Sequence, residues 1–456
     1  MASVTANTSG ARAPLPPGPR GVFFFGVLPE FTKHTIDFLS RVADAYGDVV
    51  HLPFGPAHVI FLNHPDYIKQ ILQENHRNYG KDQYTMNIIR EWAGDNVFTS
   101  DGEFWLKQRR TLQPAFHRQR IAGFGQAMTD AAELMLREWA RRPADEYLDI
   151  EKEMMRVTLR VVGRTLFSVD LVEEHKALGR AFEISDRYVQ YRLDNPYYLP
   201  RWAPTRLNRE ASWAMDYSYK TIMAMIAERR KAGHREDLLS MLIEAKDEAT
   251  GEGMSDEQVR REAVTIVAAG HETTATTLTW VFYSLSQNPA VEARLHAELE
   301  AVLAGRLPKM EDLPKLPYTR AVIDETLRLY PAAWATSREA LGADEIGGYA
   351  IQPKWTVMIA PYVIQRDGRY WEEPNAFKPE RFLAEAPNRP KFAYLPFGGG
   401  PRLCIGQPFA LAEAALILAT VAQRYRLCLK PEHPVKPKPV FTLKTSHGLP
   451  MRLEEK

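Results

Sequence analysis

Residues 255–289 constrain this chain more than any other stretch. Ser255-Asp256-Glu257-Gln258 is a capping-box signature, with a hydroxyl at the N-cap and Gln at N3. No proline follows until Pro289, so a single helix over about 256–287 runs unbroken for roughly 45 Å. A helix of that length crosses a whole domain. Its middle reads Ala268-Ala269-Gly270-His271-Glu272-Thr273-Thr274. Glycine in a helix centre costs about 1 kcal/mol against alanine, and threonine hydroxyls compete for backbone carbonyls. An acid and hydroxyls at the centre of a buried helix are poor local design, and such violations often mark a site. The plainer alternative is a helix crossing that needs small residues, with Glu272 solvated. This stretch alone leaves both open.

The rest of the pattern is mainly helical with a minor β portion. Residues 103–110, 120–142, 148–167 and 213–232 carry apolar side chains at three- and four-residue spacing. Residues 47–62 read as a small hairpin sheet. Residues 188–204, rich in aromatics and proline, read as a long connection between helices. Beyond Pro331 the pattern turns to short strands and turns, and a final helix spans about 407–423. The proline-rich residues 14–19 make an extended lead-in, so residues 1–20 precede one domain over 21–456. The apolar run at 21–28 is far shorter than the roughly 20 residues a spanning helix needs. It is also too short and late for a signal peptide, so the cytoplasm is the expected location. Phe23, Phe24 and Phe25 are expected to pack on the fold rather than touch a membrane.

Composition excludes several classes. With 45% hydrophobic and 25% charged residues, the chain is neither disordered nor collagen-like. Lys plus Arg number 58 against 57 Asp plus Glu, a net +1, so no global field favours nucleic acid. Two cysteines, Cys404 and Cys428, rule out a disulfide scaffold.

Cys404 sits in Phe397-Gly398-Gly399-Gly400-Pro401-Arg402-Leu403-Cys404-Ile405-Gly406, immediately before an apolar helix. The glycines and proline make a rigid turn. A helix N-terminus and the neighbouring Arg402 favour thiolate. Such a thiolate serves as a nucleophile or a metal ligand, and a lone cysteine also serves as buried filler. Cys428, within Leu427-Cys428-Leu429, fits the filler role. No Gly-Lys-Ser/Thr follows the glycines, so the loop is no phosphate cradle.

The loop resembles the haem-ligand motif of the cytochrome P450 family, Phe-Gly-x-Gly-x-Arg-x-Cys-x-Gly, at Phe397, Gly398, Gly400, Arg402, Cys404 and Gly406. Three further stretches match in the family's order. Ala269-Gly270-His271-Glu272-Thr273-Thr274 is similar to the oxygen-activation stretch. Glu325-Thr326-Leu327-Arg328 is similar to its Glu-x-x-Arg, with Pro379-Glu380-Arg381-Phe382 following. Trp105-Leu106-Lys107-Gln108-Arg109 is similar to its early Trp-x-x-x-Arg. The resemblance implies a P450-like fold and a stand-alone, bacterial-type monooxygenase that uses haem b (iron protoporphyrin IX) and dioxygen to hydroxylate or epoxidise an apolar substrate, such as a fatty acid or terpenoid.

On that resemblance Cys404 is the iron ligand, shielded by Phe397. Glu272 and Thr273 relay protons to dioxygen, Ala269 and Gly270 leave it room, and His271 faces away from iron. Glu325, Arg328 and Arg381 form a buried charge network holding the ligand loop, while Trp105, Arg109, Arg402 and, more variably in the family, Arg338 are donors to the haem propionates. Substrate contacts are expected from Met86, Ile89, Trp92, Phe98 and Trp334, on a loop over 84–98 and around 332–336. Ile88 and Tyr188 join them. The chain ends soon after Cys404, so electrons are expected from a separate ferredoxin or flavodoxin with its NAD(P)H reductase. Lys107, Arg109, Arg110, Arg118 and Arg120, with Arg424, Arg426 and Lys430, offer a basic docking face. A monomer without a transmembrane anchor is expected. A peroxygenase or isomerase on this fold, or a non-enzymatic haem sensor, would have no need of the Glu272-Thr273 pair.

Overall fold

The computed structural model describes residues 13–195, 198–383 and 389–456. Residues 1–12 of the lead-in and 196–197 of the expected connection lie outside them. Fifteen α-helices and twelve short strands occur among the described residues, as a mainly α fold requires. The central helix spans Asp256–Gln287, and Ser255 caps it by accepting from the Gln258 N–H at 3.2 Å. Only half of the capping box forms, because the Gln258 amide turns to Glu262 and the Asp95 carbonyl instead.

This helix packs most closely on Ile150–Phe167. Gly270 explains the approach, since a Cβ there would lie 3.2 Å from Val162 Cγ2. On the next residue Thr158 Oγ1 donates to the His271 carbonyl at 2.9 Å. The His271 ring is buried, with Nδ1 2.8 Å from the Val267 carbonyl. The small-residue stretch therefore does serve a helix crossing.

A five-stranded sheet stands beside the helices. Its order is Val49–Phe54, Ala57–Leu62, Thr356–Ile359, Thr336–Ala340, Tyr79–Lys81. Only the Ala57–Leu62 and Thr356–Ile359 pair is parallel.

Several segments differ from the sequence reading. Residues 84–98 are mostly a helix, Gln83–Ala93, rather than a loop. Asp82 caps it by accepting from the Tyr84 N–H, and Gly94 closes it at φ 70°. The aromatic residues from 188 do not start a connection but extend the helix Lys176–Asp194. Tyr188 is buried, and Arg192 reaches back to its hydroxyl at 3.3 Å while pairing with Glu91. The pattern at 120–142 splits into Arg118–Ala122 and Gly125–Trp139. Gly125 is needed there because a Cβ would meet Met310 Cγ at 2.3 Å. Phe23–Phe25 form the tip of a tight turn closed by a Val22–Gly26 bridge, and Phe23 is 98% exposed. The backbone of the turn packs on the fold, but its aromatic rings do not. No helix among the described residues is long and apolar enough to cross a membrane.

The charge network around Glu325 organises the C-terminal half. Glu325 and Arg328 lie on the helix Pro317–Leu329, one turn apart and fully buried. Two parallel hydrogen bonds of 2.7 Å join them. Arg381 Nε approaches Glu325 at 3.3 Å, and the Lys378 N–H donates to it at 2.8 Å. The remaining Arg328 donors reach the carbonyls of Gln365, Pro374 and Ala376. Every strong donor and acceptor is matched, which a buried pair requires. Removing one partner leaves an uncompensated buried charge, so Glu325→Ala is expected to cost about 3–5 kcal/mol. Urea unfolding checks this, and a loss as small as an exposed pair's would refute it.

Candidate active site

The glycine loop is built by its backbone. Gly398 and Gly400 adopt φ of 75° and 66°, and a Cβ on Gly400 would sit 1.8 Å from the Leu72 carbonyl oxygen. The turn brings the Cys404 N–H to the Phe397 carbonyl at 3.1 Å. Helix Gln407–Ala422 follows at once. Cys404 is accessible, yet protein crowds it enough that burial raises its thiol pKa. The backbone N–H groups of Gly406 and Gln407 and the nearby Arg109 pull the other way. It is therefore reachable yet closely surrounded, by donors that suit a thiolate. Arg109 donates to the Leu403 carbonyl at 2.9 Å, so this arginine braces the loop itself.

Beside the loop lies a cluster of cations. Arg402 pairs with Asp101, donates to the Ser100 carbonyl at 3.0 Å and stands 4.0 Å above the Trp105 ring. Lys81 and Arg338 are directly opposite each other across paired strands, a register that destabilises like charges. Arg338 is buried and bonds only to Thr336 Oγ1 and the Ser337 carbonyl, with no carboxylate partner among the described residues. Burial, and then Arg402, lowers its pKa to about 10. Burial, then Arg338 and Arg402, pushes Lys81 well below the usual lysine range. Three cations against the single acid Asp101 make a cradle for an anionic group. The sequence reading missed Lys81; its signal, a lysine paired across strands with Arg338, exists only once the sheet is formed.

The central helix leaves Ala269 and Thr273 less covered than its other central residues. Ala269 is exposed and Thr273 half-buried, while nearly every later residue of the helix is buried. Thr273 Oγ1 donates to the Ala269 carbonyl at 2.8 Å. Glu272 is engaged elsewhere. It accepts from Lys444 Nζ at 2.8 Å and from Thr442 Oγ1 at 2.9 Å. Lys444 is also 3.8 Å from Asp186 Oδ2 on the helix Lys176–Asp194. Burial works against the Glu272 charge, but Lys444 overrides it and holds the pKa below the usual range. Burial, and then the Glu272 charge, raises Asp186 to about 7. Two carboxyls thus share one ammonium and hold different protonation states. Neither Asp186 nor Lys444 carried a sequence signal.

Met86, Ile88 and Ile89 are brought together in the main core, with Trp92 edge-on to Phe182 at 6.1 Å. Phe98 lies under Lys81, 4.5 Å from its ammonium. Trp334 is not brought to them: it packs in a separate cluster with Phe38 and Phe61, its indole N–H on the Val440 carbonyl at 2.6 Å.

The family model described as Cytochrome P450 matches residues 16–450. The chain is 36% identical over 430 residues to "Cyclooctatin synthase" of Streptomyces melanosporofaciens, covering 93% of this chain and 92% of that protein. It is also 36% identical over 412 residues to "Cyclooctat-9-en-7-ol 5-monooxygenase" of the same organism, covering 90% and 88%. "Pentalenene oxygenase" of Streptomyces avermitilis is 32% identical over 440 residues, covering 95% and 96%.

The Asp186 carboxyl gives a pH test. Its folded pKa of about 7 lies above the unfolded value of about 3.9. The stability it contributes is therefore present below about pH 4 and lost as pH rises toward about 7. Asp186→Asn is expected to gain stability relative to wild type over that interval and to hold a constant difference above it. Urea unfolding at stepped pH measures this; a pH-independent difference would refute the assignment.

Proposed function

The chain belongs to the cytochrome P450 family and is a monooxygenase of apolar organic substrates, and from that premise we propose that it oxidises a cyclic terpenoid. The observation that carries this reading is near-full-length identity of 36% and 32% to the cyclooctatin and pentalenene proteins.

The donor set fits haem b: an accessible cysteine ringed by N–H groups, and cations in excess beside it. Cys404 would be the iron ligand, with Arg338, Arg402 and Lys81 holding the propionates and Trp105 supporting Arg402. Phe397 would shield the sulfur. When bound, the haem supplies activation of dioxygen for transfer of one oxygen atom to the substrate. The protein's task is then proton supply and exclusion of water. Thr273 holds a proton at Oγ1. Glu272, ionised while Lys444 pairs with it, takes up a proton from the neighbouring Asp186 carboxyl on releasing Lys444 and passes it on from its own carboxyl oxygen, and Asp186 is reprotonated from water.

Electrons come from a separate redox protein, for which we favour an acidic ferredoxin or flavodoxin. Part of the expected basic face is neutralised within the fold: Lys107 pairs with Glu252, Arg110 with Asp247 and Arg426 with Glu292. Arg118 and Arg120 have no carboxylate partner among the described residues, and Arg120 lines a recess of about 500 Å³ with Arg110 and His117. Docking there predicts reduction that slows with added salt; salt-independent kinetics would count against it.

Three measurements test the reading together. Cyclic terpene hydrocarbons and alcohols are expected to shift the haem spin state, and a shift by fatty acids alone would overturn the substrate class. Cys404→Ser should abolish the red-shifted Soret band of the ferrous carbonyl complex. Thr273→Ala should divert reducing equivalents to peroxide and lower product formation on the order of 10²-fold.

A further inference from the structure

The turn over residues 21–26 directs three aromatic rings outward. Phe23 is 98% exposed, Phe24 73% and Phe25 45%, with Val22 at 55% beside them. A single exposed apolar residue needs no explanation, but a contiguous run of them does. The backbone that carries the rings is clamped. Val22 and Gly26 exchange two hydrogen bonds of 2.8 Å, the Gly55 N–H donates to the Phe25 carbonyl at 3.1 Å, and the Val27 N–H donates to the Pro53 carbonyl at 2.8 Å. Gly26 adopts φ 60°, and a Cβ there would lie 1.8 Å from the Pro53 carbonyl oxygen. The turn is thereby fixed to the hairpin of Val49–Phe54 and Ala57–Leu62.

Phe24 is the residue out of place. Its φ of 68° is left-handed, which a bulky side chain adopts only at a cost. Its ring gains little inside the fold in return, with one aromatic neighbour, Phe25, edge-on at 5.3 Å. By contrast Phe31 and Phe54, which flank the turn, pack together at 4.8 Å in a core cluster. Strain held at an exposed tip points to a partner outside the fold.

Area, shape and charge choose that partner. Three rings at this exposure offer roughly 400 Å², about a third of the 1,200 Å² or so that a stable protein interface buries. A convex tip is better met by a soft medium that closes around it, and a bilayer surface is one that favours aromatic rings. The flanking charge is positive. Arg20 and Lys33 are exposed and have no carboxylate partner among the described residues, while Glu30 is held by Arg41 at 2.5 Å. Asp37 lies beyond the kink that His34 makes in the helix Leu28–Tyr46. Residues 1–12 carry Met1 and Val4 as their only large apolar side chains, too little apolar surface to match three phenyl rings. We propose that the Phe23–Phe25 turn inserts into the surface of an anionic phospholipid bilayer, with Arg20 and Lys33 among the headgroups. No residue of the turn belongs to the candidate active site, so membrane binding stands or falls apart from the monooxygenase reading.

Cosedimentation of the full-length holoprotein with vesicles of equal parts phosphatidylglycerol and phosphatidylcholine tests this. Wild type is expected to bind them, and to bind vesicles of phosphatidylcholine alone more weakly. Arg20→Gln and Lys33→Gln should each lower affinity for the anionic vesicles about fivefold. Phe23→Ser combined with Phe24→Gly should lower it on the order of 10²-fold or more, since two rings lose their burial. Urea unfolding guards against a trivial loss of structure. Phe24→Gly alone should be at least as stable as wild type, because glycine accepts the left-handed φ without strain; a destabilised Phe24→Gly would show that the ring packs on the fold, and would overturn the proposal. Failure of wild type to bind, binding that survives the double substitution, or binding indifferent to lipid charge and to both cations would each do the same. So would a lipid-free dimer, seen by sedimentation velocity, that the double substitution abolishes, since the occupant would then be a second copy of the chain.

Discussion

The bidentate bond between Glu325 and Arg328 is the interaction on which the site's geometry depends. Two ions out of water cost more than their attraction returns unless every remaining donor and lone pair is matched. Here the matching groups are backbone carbonyls at Gln365, Pro374 and Ala376, so the pair binds distant parts of the chain. Gln365 passes the constraint on. Its amide nitrogen donates to the Leu327 and Arg328 carbonyls, and its oxygen accepts the Leu395 N–H at 2.9 Å. Leu395 in turn accepts from Gly398 at 3.0 Å, the first glycine of the cysteine loop. Trp371 closes the arrangement, 4.9 Å from the Arg328 guanidinium, with its indole N–H on the Ala393 carbonyl. The sulfur of Cys404 is thus located by a rigid polar chain that begins about 80 residues earlier.

Charge is arranged differently beside the cysteine loop and on the central helix. Beside the loop, cations are in excess, and their pKa values are lowered because burial and like charge act together. An anionic group beside them would relieve both. On the central helix the reverse problem is solved by sharing: one ammonium, Lys444, serves Glu272 and Asp186. Burial raises both, but Lys444 is 2.8 Å from Glu272 and 3.8 Å from Asp186, so it lowers Glu272 while the Glu272 charge raises Asp186, and the two carboxyls are pushed apart in pKa. Lys444 lies on the strand Leu443–Thr445, and that strand is tied to the same helix by the Trp280 indole N–H on the Leu443 carbonyl. The helix therefore carries both the acid and the anchor of its counter-ion.

Legibility in the sequence followed the range of the forces involved. The central helix was read to its ends because a capping serine, a proline-free run and Pro289 are all local. The glycine loop was legible because left-handed backbone at Gly398 and Gly400 demands glycine whatever surrounds it. Glu325, Arg328 and Arg381 were assigned together only through the family resemblance, since a Glu-x-x-Arg pair on its own reads as a surface ion pair. The helix Gln83–Ala93 was missed although Asp82 and Gly94 bracket it, because the reading of residues 84–98 as a loop rests on the family resemblance and not on their own pattern. The extension of Lys176–Asp194 through Tyr188 was hidden because its support is a cross-helix contact, Arg192 with Glu91.

By itself the sequence determined the long helix, the turn that exposes Cys404 and the mainly helical class. Each of these follows from backbone preference and local capping, which need no distant partner. Only the tertiary structure decided the chemistry around them. Lys81 meets Arg338 through strand register, and Glu272 meets Lys444 across 172 residues. A titrating group takes its state from the dielectric and charges that folding brings to it. Those neighbours are set by how the chain folds, which the order of residues along it does not display.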